Sequence, residues 1–274
     1  MLRIGQIEYA NCTPIFHALR QQYPVGDYIY VGGVPARLNT LLAAGDIDVC
    51  PSSSIAYALH PDRFLIIPEI SISSCGPVQS VLLFSSMPIE ELDGRHVLLS
   101  SESATSVNLL KILLKKRYRC NCTFQVTALA PDAALQEAPG LLLIGDTALR
   151  TLKTETTVYV YDLGELWHDW TGTPFVFALW LAFRGSLPDH ESEFRTLANR
   201  LERSKAFALA NLEIIADVSQ DAEWMGRDNL LSYWRNNLSF DLSREHVAGV
   251  NLFFRLAAEM GLIQQAPELA FLGS

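Results

Sequence analysis

The residue types that suit chemistry gather at junctions where a strand gives way to a helix. In 100-SSESATSVN-108 an apolar strand ends in small hydroxyl residues and a helix starts near Ala104. Thr105 and Ser106 can offer hydroxyls and backbone N–H groups to a carboxylate, because the first N–H groups of a helix lack intrahelical partners. The same hydroxyls can instead cap the helix's own donors. The run 51-PSSSIAY-57 repeats the arrangement after another strand. Two such turns facing each other across a cleft suit a dicarboxylate better than a monocarboxylate. At 144-IGDTAL-149 a strand runs into Gly145 and Asp146. Asp146 either caps the next helix or, facing an anion, bonds a hydroxyl or carries a proton. A further junction, 6-QIEYANCTPIFHAL-19, passes through Asn11, Cys12 and Thr13, with Pro14 in the first helical turn.

Other chemistries lack their residues. The histidines at 17, 60, 96, 168, 190 and 246 show no metal-ligand spacing, and no nucleophile-elbow, Walker or Rossmann glycine pattern occurs. Five cysteines fit a reducing compartment, and Cys120-Asn-Cys122, the closest pair, reads as buried thiols rather than a metal site. A net charge of −9 argues against a nucleic-acid partner but not against an anionic small ligand. The start lacks a signal-peptide pattern and no stretch is long and apolar enough to span a bilayer, so a cytoplasmic protein without a membrane partner is expected. In 164-GELWHDWTGTPFVFALW-180, Trp167, Trp170 and Trp180 either belong to the core or wall an apolar ring site.

These junctions need elements to hold them. With 274 residues, 49% of them apolar, the chain has material for two cores. Strands at 2–7, 28–31, 47–51, 64–74 and 79–86 alternate with helices at 14–22 and 35–45, the latter ending on a glycine; Gly32-Gly33 reads as a turn. A second set follows: a strand at 96–100, a helix to 118, and strands at 123–129, 141–146 and 157–164. A long strand at 174–183 and helices at 189–213, 219–236 and 243–261 complete the chain. Strand–helix alternation implies α/β sheets that are partly parallel. Two sets imply two lobes, residues 1–86 plus 178–274 and residues 87–177, with strand ends and helix N-termini facing an interlobe ligand cleft.

The motifs 9-YANCTPIF-16, 45-GDIDVCPSSSIAY-57, 79-QSVLLFS-85, 105-TSVNLL-110, 144-IGDTAL-149 and 164-GELWHDWTGTPFVFALW-180 occur in an order that resembles the chorismate dehydratases of the futalosine route to menaquinone. The resemblance spans nearly the whole chain. Ala10 stands where many members carry a bulkier apolar residue, and Thr13 sits beside the Asn-Cys pair. It implies a two-lobe, type II periplasmic-binding-protein-like fold that dehydrates chorismate, a small-molecule substrate, to 3-[(1-carboxyvinyl)oxy]benzoate without metal or organic cofactor. It singles out Asn11 and Ser80 as catalytic, with Ser53, Thr105, Ser106 and Asp146 as substrate-binding residues. An amide holds no proton near neutral pH, so Asn11 is expected to orient a group rather than act as base. The same fold serves non-catalytic carboxylate-binding proteins. The related enzyme acting on cyclic dehypoxanthine futalosine also looks like this fold, but the histidine expected in its cleft is missing at Ile144-Gly145-Asp146.

Overall fold

The computed structural model describes residues 1–24, 26–154 and 157–273. The first part runs β1 (Leu2–Ile7), α1 (Thr13–Gln22), β2 (Tyr28–Gly33), α2 (Pro35–Ala44), β3 (Val49–Ser53), α3 (Ser54–Leu59) and β4 (Phe64–Ser74). β1 pairs in parallel with β2 and β3, as strand–helix–strand crossovers require. Gly45 ends α2 with φ 79°, a left-handed cap that a side chain would resist. Gly32-Gly33 is not a turn: it completes β2 opposite Gln6 and Ile7. A Cβ at Gly32 would stand 2.4 Å from Oε1 of Glu8, so the glycine makes room for that side chain.

The chain then enters a second sheet. It comprises β5 (Val81–Ser85), β6 (His96–Ser100), α4 (Ala104–Ile112), β7 (Thr123–Thr127), α5 (Pro131–Glu137), β8 (Gly140–Ile144), α6 (Gly145–Thr154), β9 (Tyr159–Asp162) and α7 (Leu163–Thr171). Strand β10 (Phe175–Phe183) returns to the first sheet. Helices α8 (Leu187–Ala210), α9 (Leu212–Val218), α10 (Asp221–Met225), α11 (Arg227–Asn236) and α12 (Arg244–Glu259) follow.

The sheet orders β2-β1-β3-β10-β4 and β7-β6-β8-β5-β9 share one pattern. Each has a parallel trio, then an antiparallel strand that is the first to arrive from the other sheet, then an edge strand. Both sequence-expected limits therefore shift on sheet membership. β5 bonds β8 and β9 rather than the first sheet, and β10 already pairs with Ser74 from Phe175. The strands exchange because each is apolar on both faces and suits the middle of either sheet. The aromatic stretch is core. Trp167 packs edge-on against Phe175 and Phe253 and donates Nε1–H to Thr173 Oγ1 at 3.0 Å, while Trp180 lies against Phe16.

Candidate active site

The C-terminal ends of β1, β3, β6 and β8 converge on one pocket, partly open to solvent. Ile7, Tyr9, Asn11, Pro35, Ser53, Ile72, Phe177 and Ala178 line it from the first sheet, and Val81, Ser103, Ser106, Ile144 and Gly145 from the second. Val78 and Ser80 reach it from the connection between β4 and β5. None of the three tryptophans is among these; Phe177 supplies the ring.

Asn11 sits in a turn whose backbone is fixed on every side. Cys12 N–H donates to the Tyr9 carbonyl at 2.9 Å, and Ala10 N–H donates to Asp146 Oδ1 at 3.1 Å. Trp234 Nε1–H donates to the Ala10 carbonyl at 2.8 Å. The Asn11 side-chain oxygen is buried and reaches no hydrogen-bond partner. A buried polar atom left unpaired costs on the order of 1–3 kcal/mol, so this oxygen is available to a donor that enters the pocket. Cys12 is packing: burial pushes its thiol well up, away from the reactive thiolate.

Ser80 is buried immediately before β5. Its hydroxyl accepts a hydrogen bond from Tyr233 Oη at 2.9 Å, which leaves its own proton free to point elsewhere, and the pocket is beside it. The Ser80 carbonyl accepts from Gly145 N–H at 2.7 Å. The preceding turn is held by Asp162, which accepts from Val78 N–H at 3.0 Å and Gln79 N–H at 2.6 Å. Asp162 also caps α7 by accepting from Gly164 and Glu165 N–H. Burial pushes its carboxyl up against the pull of these four donors.

The expected binding residues divide. Ser53 lines the pocket and, although it precedes α3, makes no capping bond. Ser106 lines it too, its hydroxyl 3.0 Å from that of Ser103, which caps α4 by accepting from Ser106 N–H. Thr105 does not line it: its fully buried hydroxyl accepts from Ile55 N–H at 3.1 Å and lies 3.3 Å from Ser54 Oγ, tying α4 to α3. Asp146 does not line it either, because its carboxylate is spent on Ala10 N–H, the residue beside Asn11. Burial, with Asp221 and Glu102 adding to it, raises the Asp146 carboxyl to about 6 against the Ala10 hydrogen bond and Arg150.

Among the described residues lining the pocket none is Asp, Glu, His, Lys or Arg; Tyr9 carries the titratable group. Burial first, then the charges of Glu102 and Asp146, drives that phenol well above its ordinary value. Glu102 acts on it by charge and as a nearby acceptor, although the hydroxyl closes no hydrogen bond of good geometry to it. Such a pocket binds carboxylates with neutral donors and offers no side-chain base. Tyr9, Ser103, Phe177 and Tyr233 are missing from the sequence-based site; Tyr9 stands inside the 9-YANCTPIF-16 motif, whereas nothing near Tyr233 marks it.

Paired sheets of this order, closing on a pocket at their strand ends, define a periplasmic-binding-protein-like fold. The chain superposes on a protein of Archaeoglobus fulgidus, AF1704, with TM-score 0.77 at 19% identity, covering 96% of this chain and 98% of that one. It superposes on the periplasmic aliphatic sulphonate binding protein of Escherichia coli with TM-score 0.68 at 18% identity, covering 100% and 94%. Within that fold the chain belongs to the menaquinone biosynthesis family, whose model matches residues 2–259. It is 31% identical to the chorismate dehydratase of Thermus thermophilus over 91% of this chain and 93% of that one. Among the described residues no helix is long and apolar enough to cross a membrane.

Proposed function

We propose that the protein is a chorismate dehydratase, removing water from chorismate to give 3-[(1-carboxyvinyl)oxy]benzoate. The observation that carries this reading is a pocket that gathers five hydroxyls and the Asn11 amide with no charged side chain among its described lining residues, in a chain of the menaquinone biosynthesis family. Chorismate is a dianion. The hydrogen on its ether-bearing ring carbon is vinylogously acidic, since the carbanion delocalises into the ring carboxylate. Loss of the neighbouring hydroxyl then aromatises the ring. The elimination is redox-neutral and calls for no electron carrier.

The base in this reading is the substrate's own enolpyruvyl carboxylate, held within reach of the acidic hydrogen. In a dry pocket a carboxylate is a stronger base than in water. Ser53, Ser103 and Ser106 bind the two carboxylates. Ser80 donates to the ring carboxylate as charge builds there, a bond that strengthens toward the transition state and so lowers the barrier. Asn11 orients the hydroxyl. We read the enzyme as cytoplasmic, in keeping with its unpaired cysteines.

Purified protein incubated with chorismate should yield an aromatic product lighter by one water in mass spectrometry. Asn11→Ala should lower kcat by about 10²-fold while chorismate still binds. Absence of product, with tight retention of another solute, would make it a binding protein instead. An unchanged rate in Asn11→Ala would remove that residue from the mechanism.

A further inference from the structure

Tyr9 has no task in the mechanism above, yet it is held as firmly as the residues that do. Its ring lies on Gly145, the first residue of α6, where φ is 60° and a Cβ would stand 2.8 Å from Tyr9 Cε2. Its hydroxyl is buried at the pocket, with Glu102 near but no hydrogen bond of good geometry closed, and the Asn11 side-chain oxygen is likewise buried without a partner. Two orphaned polar atoms in one pocket set a requirement on the ligand. An amide oxygen only accepts, so Asn11 needs a donor from it. Dianionic chorismate has a single O–H donor, the ring hydroxyl, for its carboxylates and ether oxygen only accept. That hydroxyl therefore meets Asn11. Once its proton faces Asn11, its oxygen is left to accept, and Tyr9 is the unused donor.

We infer that Tyr9 is a further catalytic residue whose O–H donates to the ring hydroxyl oxygen as it leaves, while Asn11 fixes the same hydroxyl from its proton side. The inference rests on the dehydratase reading. The C–H bond at the ether-bearing carbon breaks first, its proton passing to the enolpyruvyl carboxylate and its electron pair into the ring and ring carboxylate. The neighbouring C–O bond then breaks with the pair going to oxygen, which takes the Tyr9 proton and departs as water. The phenolate regains a proton from the enolpyruvyl carboxylic acid, so one chorismate gives one product and one water with the enzyme unchanged. Burial of Tyr9, then Glu102 and Asp146 beside it, make a lasting phenolate unfavourable, which favours prompt return of the proton.

The product keeps both carboxylates and lacks the hydroxyl, which separates a contact to the leaving group from a contact to an anion. Tyr9→Phe keeps the ring on Gly145 and removes only the donor. It should lower kcat/KM for chorismate by about 10²-fold, while the inhibition constant for added 3-[(1-carboxyvinyl)oxy]benzoate stays within about twofold of wild type. Retained product affinity also certifies that the variant is folded. Undiminished turnover in Tyr9→Phe overturns the inference. Equal losses of turnover and product affinity, with an unchanged thermal transition, overturn it as well, because they put Tyr9 on a carboxylate. Failure of the wild-type protein to convert chorismate defeats the dehydratase reading itself and is recognised before any variant is made.

Discussion

At the scale of residues, what distinguishes Ser80 from the many other buried serines is the direction of its proton. Tyr233 is fully buried, and burial pushes its phenol far up, so it stays a donor. By donating to Ser80 Oγ at 2.9 Å it occupies a lone pair and restricts where the serine proton can turn. Ser80→Ala should lower kcat by about 10²-fold, the usual cost of losing a donor aimed at developing charge. Tyr233→Phe leaves the serine in place but frees its rotor, so a smaller loss of about tenfold in kcat with little change in KM is expected. The decisive measurement is the double variant. If Tyr233 acts through Ser80, Tyr233→Phe on a Ser80→Ala background changes kcat by less than about twofold, whereas independent roles would multiply.

At the scale of elements, the start of α6 does several jobs with Gly145 and Asp146. Gly145 admits the Tyr9 ring and donates to the Ser80 carbonyl, and Asp146 reaches across to Ala10. The Asp146 carboxyl titrates near 6 in the folded protein, above its ordinary value of 3.8. A raised carboxyl means the native state holds the proton more tightly than the unfolded chain. The contribution of this one group to stability is therefore fully present below about 4, declines as pH rises toward 6, and is lost above. Asp146→Asn keeps an acceptor for Ala10 and removes the titration. Its stability relative to wild type should rise between pH 4 and pH 7 by on the order of 1 kcal/mol, after allowing for partial solvent screening. Thermal unfolding of both proteins across that range checks it, and parallel curves would refute it. Much at this scale was legible in the sequence. The junctions at Asn11, Ser53, Ser106 and Asp146 show as apolar runs breaking into hydroxyls, carboxyls or proline, and Gly45 marks its helix end. Short α5 was not legible, because one turn of apolar spacing around Ala134 carries little signal. Nor was the sheet that β5 joins. Its five residues are all buried, and only pairing with β8 and β9 decides its side. The site's wiring is hidden for the same reason: Tyr233 to Ser80 spans 153 residues and Asp146 to Ala10 spans 136.

At the scale of the whole molecule, the two sheets share an apolar core, with Trp167 of α7 packed against Phe175 of β10, and a few polar contacts also bridge them around the pocket. Ala10 N–H to Asp146 and Ile55 N–H to Thr105 cross inside, and at the rim Lys153 Nζ donates to the Met225 carbonyl at 2.7 Å. The Arg150 guanidinium lies 4.0 Å from the centre of the Trp224 ring, joining α6 of the second sheet to α10 of the C-terminal helices. These are polar or cation–π contacts, each worth roughly 0.5–1 kcal/mol where solvent reaches them. In a pocket only partly open to solvent, fixed donors stabilise charge at the carbanion better than water does, so a contact that governs solvent access should act on substrate binding. Arg150 touches no pocket residue through its stack, so removing it should act on closure rather than chemistry. Arg150→Ala is expected to raise KM about two- to fivefold, the equivalent of the lost cation–π energy, with kcat within about twofold of wild type. The comparison belongs at about pH 8, well above the value near 6 held by Asp146, so that loss of the nearby cation does not alter that carboxylate's charge. A fall in kcat of tenfold or more would instead tie Arg150 to the reacting groups, and an unchanged KM would mean that the rim does not govern closure.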